Sequence, residues 1–210
     1  MRAEEIMKLS PIVPVIALEC EEDAIPLANA LLEGGINIME ITLRTQAGLK
    51  AIEIISKHLP QMHVGAGTVL NGDDFKSAVE HGAAFIFSPG ISEDLLQTSK
   101  QTGIALIPGV ATASEVMLAK NHGFDHCKLF PATLAGGVEM LKALSGPFPT
   151  MRFCPTGGVN LNNLNEFLSL ENVLCVGGSW IVPKALIKEK DFKQITRLCI
   201  EAKDSIKGKK

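Results

Sequence analysis

Eight short apolar runs of strand length recur along the chain, and a segment able to form a helix follows each. The runs are "PIVPVIA", "INIMEITL", "MHVGAG", "AFIFS", "IALIPG", "HCKLF", "RFCP" and "NVLCVGG". The segment after the first, "EEDAIPLANALLEGG", shows helical spacing at Ala24, Leu27, Ala28, Leu31 and Leu32 and ends on a glycine pair. Strand-then-helix alternation builds parallel sheets, because a parallel partner is reached only through a crossover. Eight units with short loops and no shift in composition favour an eight-fold (β/α)8 TIM barrel over a doubly wound open sheet. At 210 residues the expectation is one compact α/β domain spanning residues 1–210.

Charge and termini narrow the class of partner. The formal net charge is only -3 with both signs interspersed, and the one basic cluster, "KDSIKGKK", reads as a solvated end rather than a nucleic-acid arm. The opening "MRAEEIMKLSPIVPVIA" is neither a signal peptide nor a spanning helix, because Pro11 and Pro14 break a short apolar run. A cytoplasmic enzyme with no nucleic-acid and no membrane partner is the resulting expectation. Five widely spaced cysteines without a C-x-x-C pair suggest buried reduced thiols.

Glycine and proline add a second regularity. "GAGT", "SPG", "IPG", "FPA", "CPTGG" and "VGGS" all fall after a strand and before its helix, so they gather on the face where barrel enzymes carry their chemistry. Tight βα turns alone would also call for them.

Polar residues inside such strands require a reason, since both faces are covered. In "NIMEITLR", Met39, Ile41 and Leu43 share one face, while Glu40, Thr42 and Arg44 share the other and point toward the barrel axis or its mouth. An internal Glu40–Arg44 ion pair and a catalytic carboxylate are both compatible with this pattern. By the same parity His126, Lys128 and Phe130 of "HCKLF" face inward. Burial, an aromatic neighbour and nearby cations such as Arg44 are the surroundings in which an amine serves as a nucleophile. The competing reading is a Lys128–Glu40 salt bridge without chemistry.

Two further loops point to an anion. "PTGG" and "VGGS" close the seventh and eighth strands, where backbone N–H groups bind phosphate in barrels of this kind. Gly157, Gly158 and Gly178 allow close approach, and Ser179 offers a hydroxyl. Thr68 in "GAGTVL" either binds a carboxylate or caps the following turn. No histidine spacing suits a metal, His126 reads as a core or hydrogen-bonded residue rather than a ligand, and Trp180 as packing.

The motifs "VPVIA", "EITLRT", "GAGTVL", "SPG", "IPG", "KLFPA", "FCPTGG" and "VGGSW" together resemble the class I 2-keto-3-deoxy-6-phosphogluconate (KDPG) aldolases. These also act as 4-hydroxy-2-oxoglutarate (KHG) aldolases, and the resemblance covers nearly the whole chain. It implies that Lys128 forms the Schiff base and that Glu40 is the acid/base. It assigns the substrate carboxylate to Arg44 and Thr68, the phosphate loops to Gly157, Gly158, Gly178 and Ser179, and pocket positions to Pro89 and Phe130. Thr156 looks like the gluconate branch, galactonate-type relatives usually carrying an apolar residue there. The resemblance further implies a homotrimer with no cofactor and no metal, acting on phosphorylated 2-keto-3-deoxy sugar acids and pyruvate. A phosphosugar isomerase or epimerase on the same barrel would use the phosphate loops but needs no imine-forming lysine. A non-catalytic sugar-phosphate binder is the remaining alternative.

Overall fold

The computed structural model describes residues 1–206; Lys207 to Lys210, the end of the basic cluster, lie outside the described residues. All eight expected runs become strands. They are β1 (Ile12–Ile16), β2 (Ile38–Thr42), β3 (His63–Gly67), β4 (Ile86–Phe87), the pair β5 (Leu106–Ile107) and β6 (Gly109–Val110), β7 (His126–Leu129), β8 (Arg152–Phe153) and β9 (Val176–Gly178). The run "IALIPG" is split because Pro108 has no N–H to give to a ladder. Its carbonyl still accepts from Lys128 N at 2.8 Å.

The fold is α/β, and every ladder is parallel. Six strands form one sheet in the order β5-β4-β3-β2-β1-β9, and three form another in the order β6-β7-β8. Single parallel bridges, Phe153 to Val173 and Thr156 to Gly177, join the β8 run to the approach of β9. In β2 all five residues are buried, as a strand covered on both faces requires. Register is fixed by pairs such as Glu40 with Gly65 and Thr42 with Gly67.

Helices cover the sheet between strands: α2 (Ala24–Glu33), α3 (Ala47–His58), α4 (Gly72–Glu80), α5 (Glu93–Thr102), α6 (Ala113–Asn121), α7 (Gly137–Ser145) and α8 (Leu164–Leu168). Their starts are chemically marked. Asn71 and Ser92 cap α4 and α5, and Thr112 with Glu115 forms a capping box at α6. After the short α9 (Lys184–Lys188), helix α10 (Phe192–Asp204) returns to α2. There Thr196 Oγ1 donates to the Ala30 carbonyl at 3.0 Å, and Gly34 leaves room for Cys199.

Two features depart from the sequence reading. A five-residue helix, α1 (Ala3–Met7), stands before β1 and buries Ile6 and Met7; periodicity over so few residues does not announce it. Four cysteines are buried as expected, but Cys20 is exposed. It precedes the acidic turn "EED" and so lies off the strand. Among the described residues, no helix is long and apolar enough to cross a membrane.

Candidate active site

Lys128 and Glu40 come from strands that do not pair with each other, yet their side chains meet in the interior. Lys128 Nζ lies 3.1 Å from Glu40 Oε1 and 3.4 Å from Oε2. Only 3% of Lys128 and 1% of Glu40 is exposed. The inward parity of both strands therefore holds. The contact at the amine is the Glu40 carboxylate, and Arg44 turns elsewhere, so the internal Glu40–Arg44 pair does not form. Removing two charges from water costs several kcal/mol per ion, and only mutual contact and further polar partners offset it.

Glycine makes room for this arrangement. A Cβ at Gly67 would stand 2.0 Å from Glu40 Oε1 and 2.5 Å from its Cγ, so only a hydrogen at that position lets the carboxylate lie across β3. Above the amine are two rings, Phe87 at 5.3 Å and Phe130 at 5.4 Å from ring centroid to Nζ. Both faces attract a cation and exclude water. Phe130 was expected; Phe87 was not. The alternation in "AFIFS" is its signal, because Phe85 and Phe87 share a parity and Phe85 fills the space above Gly65.

Arg44 follows β2 and donates from Nε to Thr68 Oγ1 at 2.9 Å. Thr42, buried two residues earlier, donates to the Ile16 carbonyl. Thr68 has φ 58, in the left-handed region, and Lys190 is the other positive-φ residue besides glycine among those described. For a β-branched residue this costs on the order of 1–3 kcal/mol, and such strain gathers at functional sites. It sets the hydroxyl against Arg44 at the strand end.

The expected phosphate loops are neighbours. Gly157 and Gly158 have φ 97 and 83, conformations open to glycine, and a Cβ at Gly158 would meet Thr133 Oγ1 at 2.1 Å. Thr156 is buried over Gly177, and Ala132 N donates to its carbonyl at 2.8 Å. Gly178 lies under the Trp180 ring, whose Nε1 is buried without a hydrogen-bond partner among the described residues. Ser179 is exposed. It shares with Arg44, Thr42 and Lys184 a cavity of about 250 Å³. Pro89, at the end of the β4 run, presses its backbone on Gly109 and lines a separate cleft with Val69 and Leu70.

His126 stands at the other end of β7, half-buried. It lines a cavity of about 370 Å³ with Glu4, Lys100 and Asp125. Burial pushes its pKa down, against the pull of Glu4 and Asp125 and with that of Arg152 and Lys8. No group of three or more His, Cys, Asp or Glu able to hold a metal ion occurs among the described residues.

A buried amine within hydrogen-bond reach of a buried carboxylate, in a parallel-stranded fold whose strand ends also carry a guanidinium, is the equipment of an enzyme that uses an amine as nucleophile. The comparisons give that class its family. Residues 3–198 match the family model described as KDPG and KHG aldolase. The chain is 48% identical over 201 residues to the 2-dehydro-3-deoxy-phosphogluconate aldolase of Pseudomonas aeruginosa, covering 96% of this chain and 91% of that protein. It is 45% identical over 205 residues to the KHG/KDPG aldolase of Escherichia coli, covering 98% and 96%. A crystal structure of KDPG aldolase from Legionella pneumophila, with pyruvate captured as a covalent carbinolamine, superposes with a TM-score of 0.95 at 47% identity, covering 96% and 98%. The chain belongs to the KDPG and KHG aldolase family and is a carbon–carbon lyase.

Proposed function

We propose that the chain cleaves 2-keto-3-deoxy-6-phosphogluconate to pyruvate and glyceraldehyde 3-phosphate, and 4-hydroxy-2-oxoglutarate to pyruvate and glyoxylate. The observation that carries this is the Lys128–Glu40 contact at 3.1 Å. When the proton of the pair resides on Glu40, the Lys128 amine has a free lone pair for the C2 ketone. Attack gives a carbinolamine, and loss of water gives a protonated imine. Glu40 then removes the C4 hydroxyl proton, the C3–C4 electron pair flows into the imine, and the aldehyde leaves an enamine. Glu40 returns the proton to C3. Water hydrolyses the imine, releasing pyruvate and the free amine. No cofactor enters these steps.

Arg44 and Thr68 hold the carboxylate of the pyruvate half, while Pro89, Phe130 and Thr156 line the pocket. The loops at Gly157, Gly158, Gly178 and Ser179 take the phosphate. A bidentate guanidinium contact supplies both charge and orientation. The same reading includes an eight-stranded barrel in one domain: the two bridges beside β8 and the return of α10 to α2 support closure. It also includes a cytoplasmic homotrimer. Leu134, 86% exposed on the loop after Lys128, supports a surface covered in the assembly.

The deciding experiment is trapping. Pyruvate with borohydride should leave one pyruvyl-derived mass on the peptide containing Lys128 and abolish activity. An adduct on another lysine, or full activity of Lys128→Met, would overturn the assignment. A galactonate-type preference is the second reading; Thr156 at the phosphate loop favours the gluconate one.

A further inference from the structure

We propose that Lys184 is a specificity-determining residue that recognises the charge of the substrate's terminal phosphate. The inference rests on the reaction proposed above and adds a residue to it. The cavity beside the site is walled by Thr42, Arg44, Ser179 and Lys184 together with apolar side chains, and no carboxylate lines it. Two cations facing one cavity without an acid select an anion.

The two cations have different commitments. Arg44 is anchored through Nε to Thr68 at the strand end, where the carboxylate of the pyruvate half is held. Lys184 lines the same cavity, five residues after Ser179, and is exposed. It takes part in none of the ion pairs among the described residues. The neighbouring lysine Lys190 is by contrast committed to Asp23 at 2.9 Å.

The other donors of the phosphate loops are neutral. Glycine N–H groups and the Ser179 hydroxyl supply hydrogen bonds but no charge, so alone they separate a phosphate from a hydroxyl weakly. A phosphate ester carries about -1.5 to -2 at pH 7. A lysine on a flexible stem suits it as a point charge. Lys184 also borders a second cavity, which contains the carboxylates Glu19 and Asp23, and forms an ion pair with neither.

The test compares Lys184→Met and Lys184→Arg with the unsubstituted enzyme. Steady-state kinetics are run on the phosphorylated substrate and on its dephosphorylated counterpart, with inorganic phosphate as inhibitor. Lys184→Met is expected to raise KM for the phosphorylated substrate and to weaken phosphate inhibition, each about fivefold for a partly exposed ion pair. Turnover at saturation and KM for the dephosphorylated substrate should stay within twofold, and Lys184→Arg should restore most of the loss. Unchanged KM and phosphate inhibition, or equal rises on both substrates, would overturn the proposal. Failure of the unsubstituted enzyme to form a pyruvate adduct on Lys128 would count against the reaction itself. Calorimetric titration of inorganic phosphate into the same proteins would then still decide the role of Lys184.

Discussion

Lys128 Nζ and Glu40 Oε1 stand 3.1 Å apart although 88 residues separate them in the chain and their strands are not ladder partners. The contact thus ties two separate parts of the sheet structure together across the interior. Deleting one partner leaves a buried charge uncompensated, which costs about 3–5 kcal/mol. Deleting both leaves no charge. Lys128→Met and Glu40→Leu should each lower stability toward unfolding in urea by roughly that amount, and the double variant should recover most of it. Additive losses would show that the pair is not coupled.

Gly67 controls where the carboxylate lies. A methyl group there would overlap Glu40 Oε1, Cγ and Cδ, and Glu40 is too buried to swing aside. Gly67→Ala should therefore leave the far-ultraviolet circular dichroism unchanged, cost roughly 1–3 kcal/mol of stability, and lower kcat more than tenfold. Retained kcat would mean that Glu40 does not act from its observed position.

Arg44 makes the corresponding prediction for affinity. Its Nε is held by Thr68, which leaves the rest of the guanidinium to face the cavity. Arg44→Ala should weaken pyruvate binding by about tenfold or more, read from the pyruvate concentration needed for half-maximal trapping on Lys128. Arg44→Lys should rescue little, since an ammonium lacks the planar fork. Unchanged half-saturation would remove Arg44 from the site.

Strand parity explains why the centre of the site was legible. Period-two alternation assigns Glu40, Thr42, Arg44 and Lys128 to interior or mouth without any knowledge of tertiary contacts, and the loops after each strand follow from glycine and proline. Partner choice was not legible. Whether Glu40 meets Arg44 or Lys128 depends on how β2 and β7 are placed across the interior and on Gly67, and neither is a local property. The left-handed backbone of Thr68 was hidden for the same reason, because threonine by itself argues against φ 58. Phe87 was readable in principle. Its alternation with Phe85 lies in the sequence, but only the tertiary placement of β4, which does not pair with β7, brings its ring over the amine.

The last prediction concerns the opposite end of β7. His126 is half-buried there, and burial is the largest cause pushing its pKa below the usual 6.5; Arg152 and Lys8 push the same way, while Glu4 and Asp125 oppose them. The folded state therefore holds the proton less tightly than the unfolded state. Above about pH 6.5 the ring is neutral in both states and folding pays no penalty. As pH falls through that value the unfolded ring takes up a proton first, so stability declines, and the decline is complete below the depressed folded value. His126→Gln removes this component and leaves the acid sensitivity of the carboxylates. In urea unfolding, the stability lost between pH 7.5 and pH 5 should be smaller for the variant than for the unsubstituted protein, whatever the substitution costs at pH 7.5. Parallel losses over that interval would show that His126 is not desolvated in solution as it is in the structure.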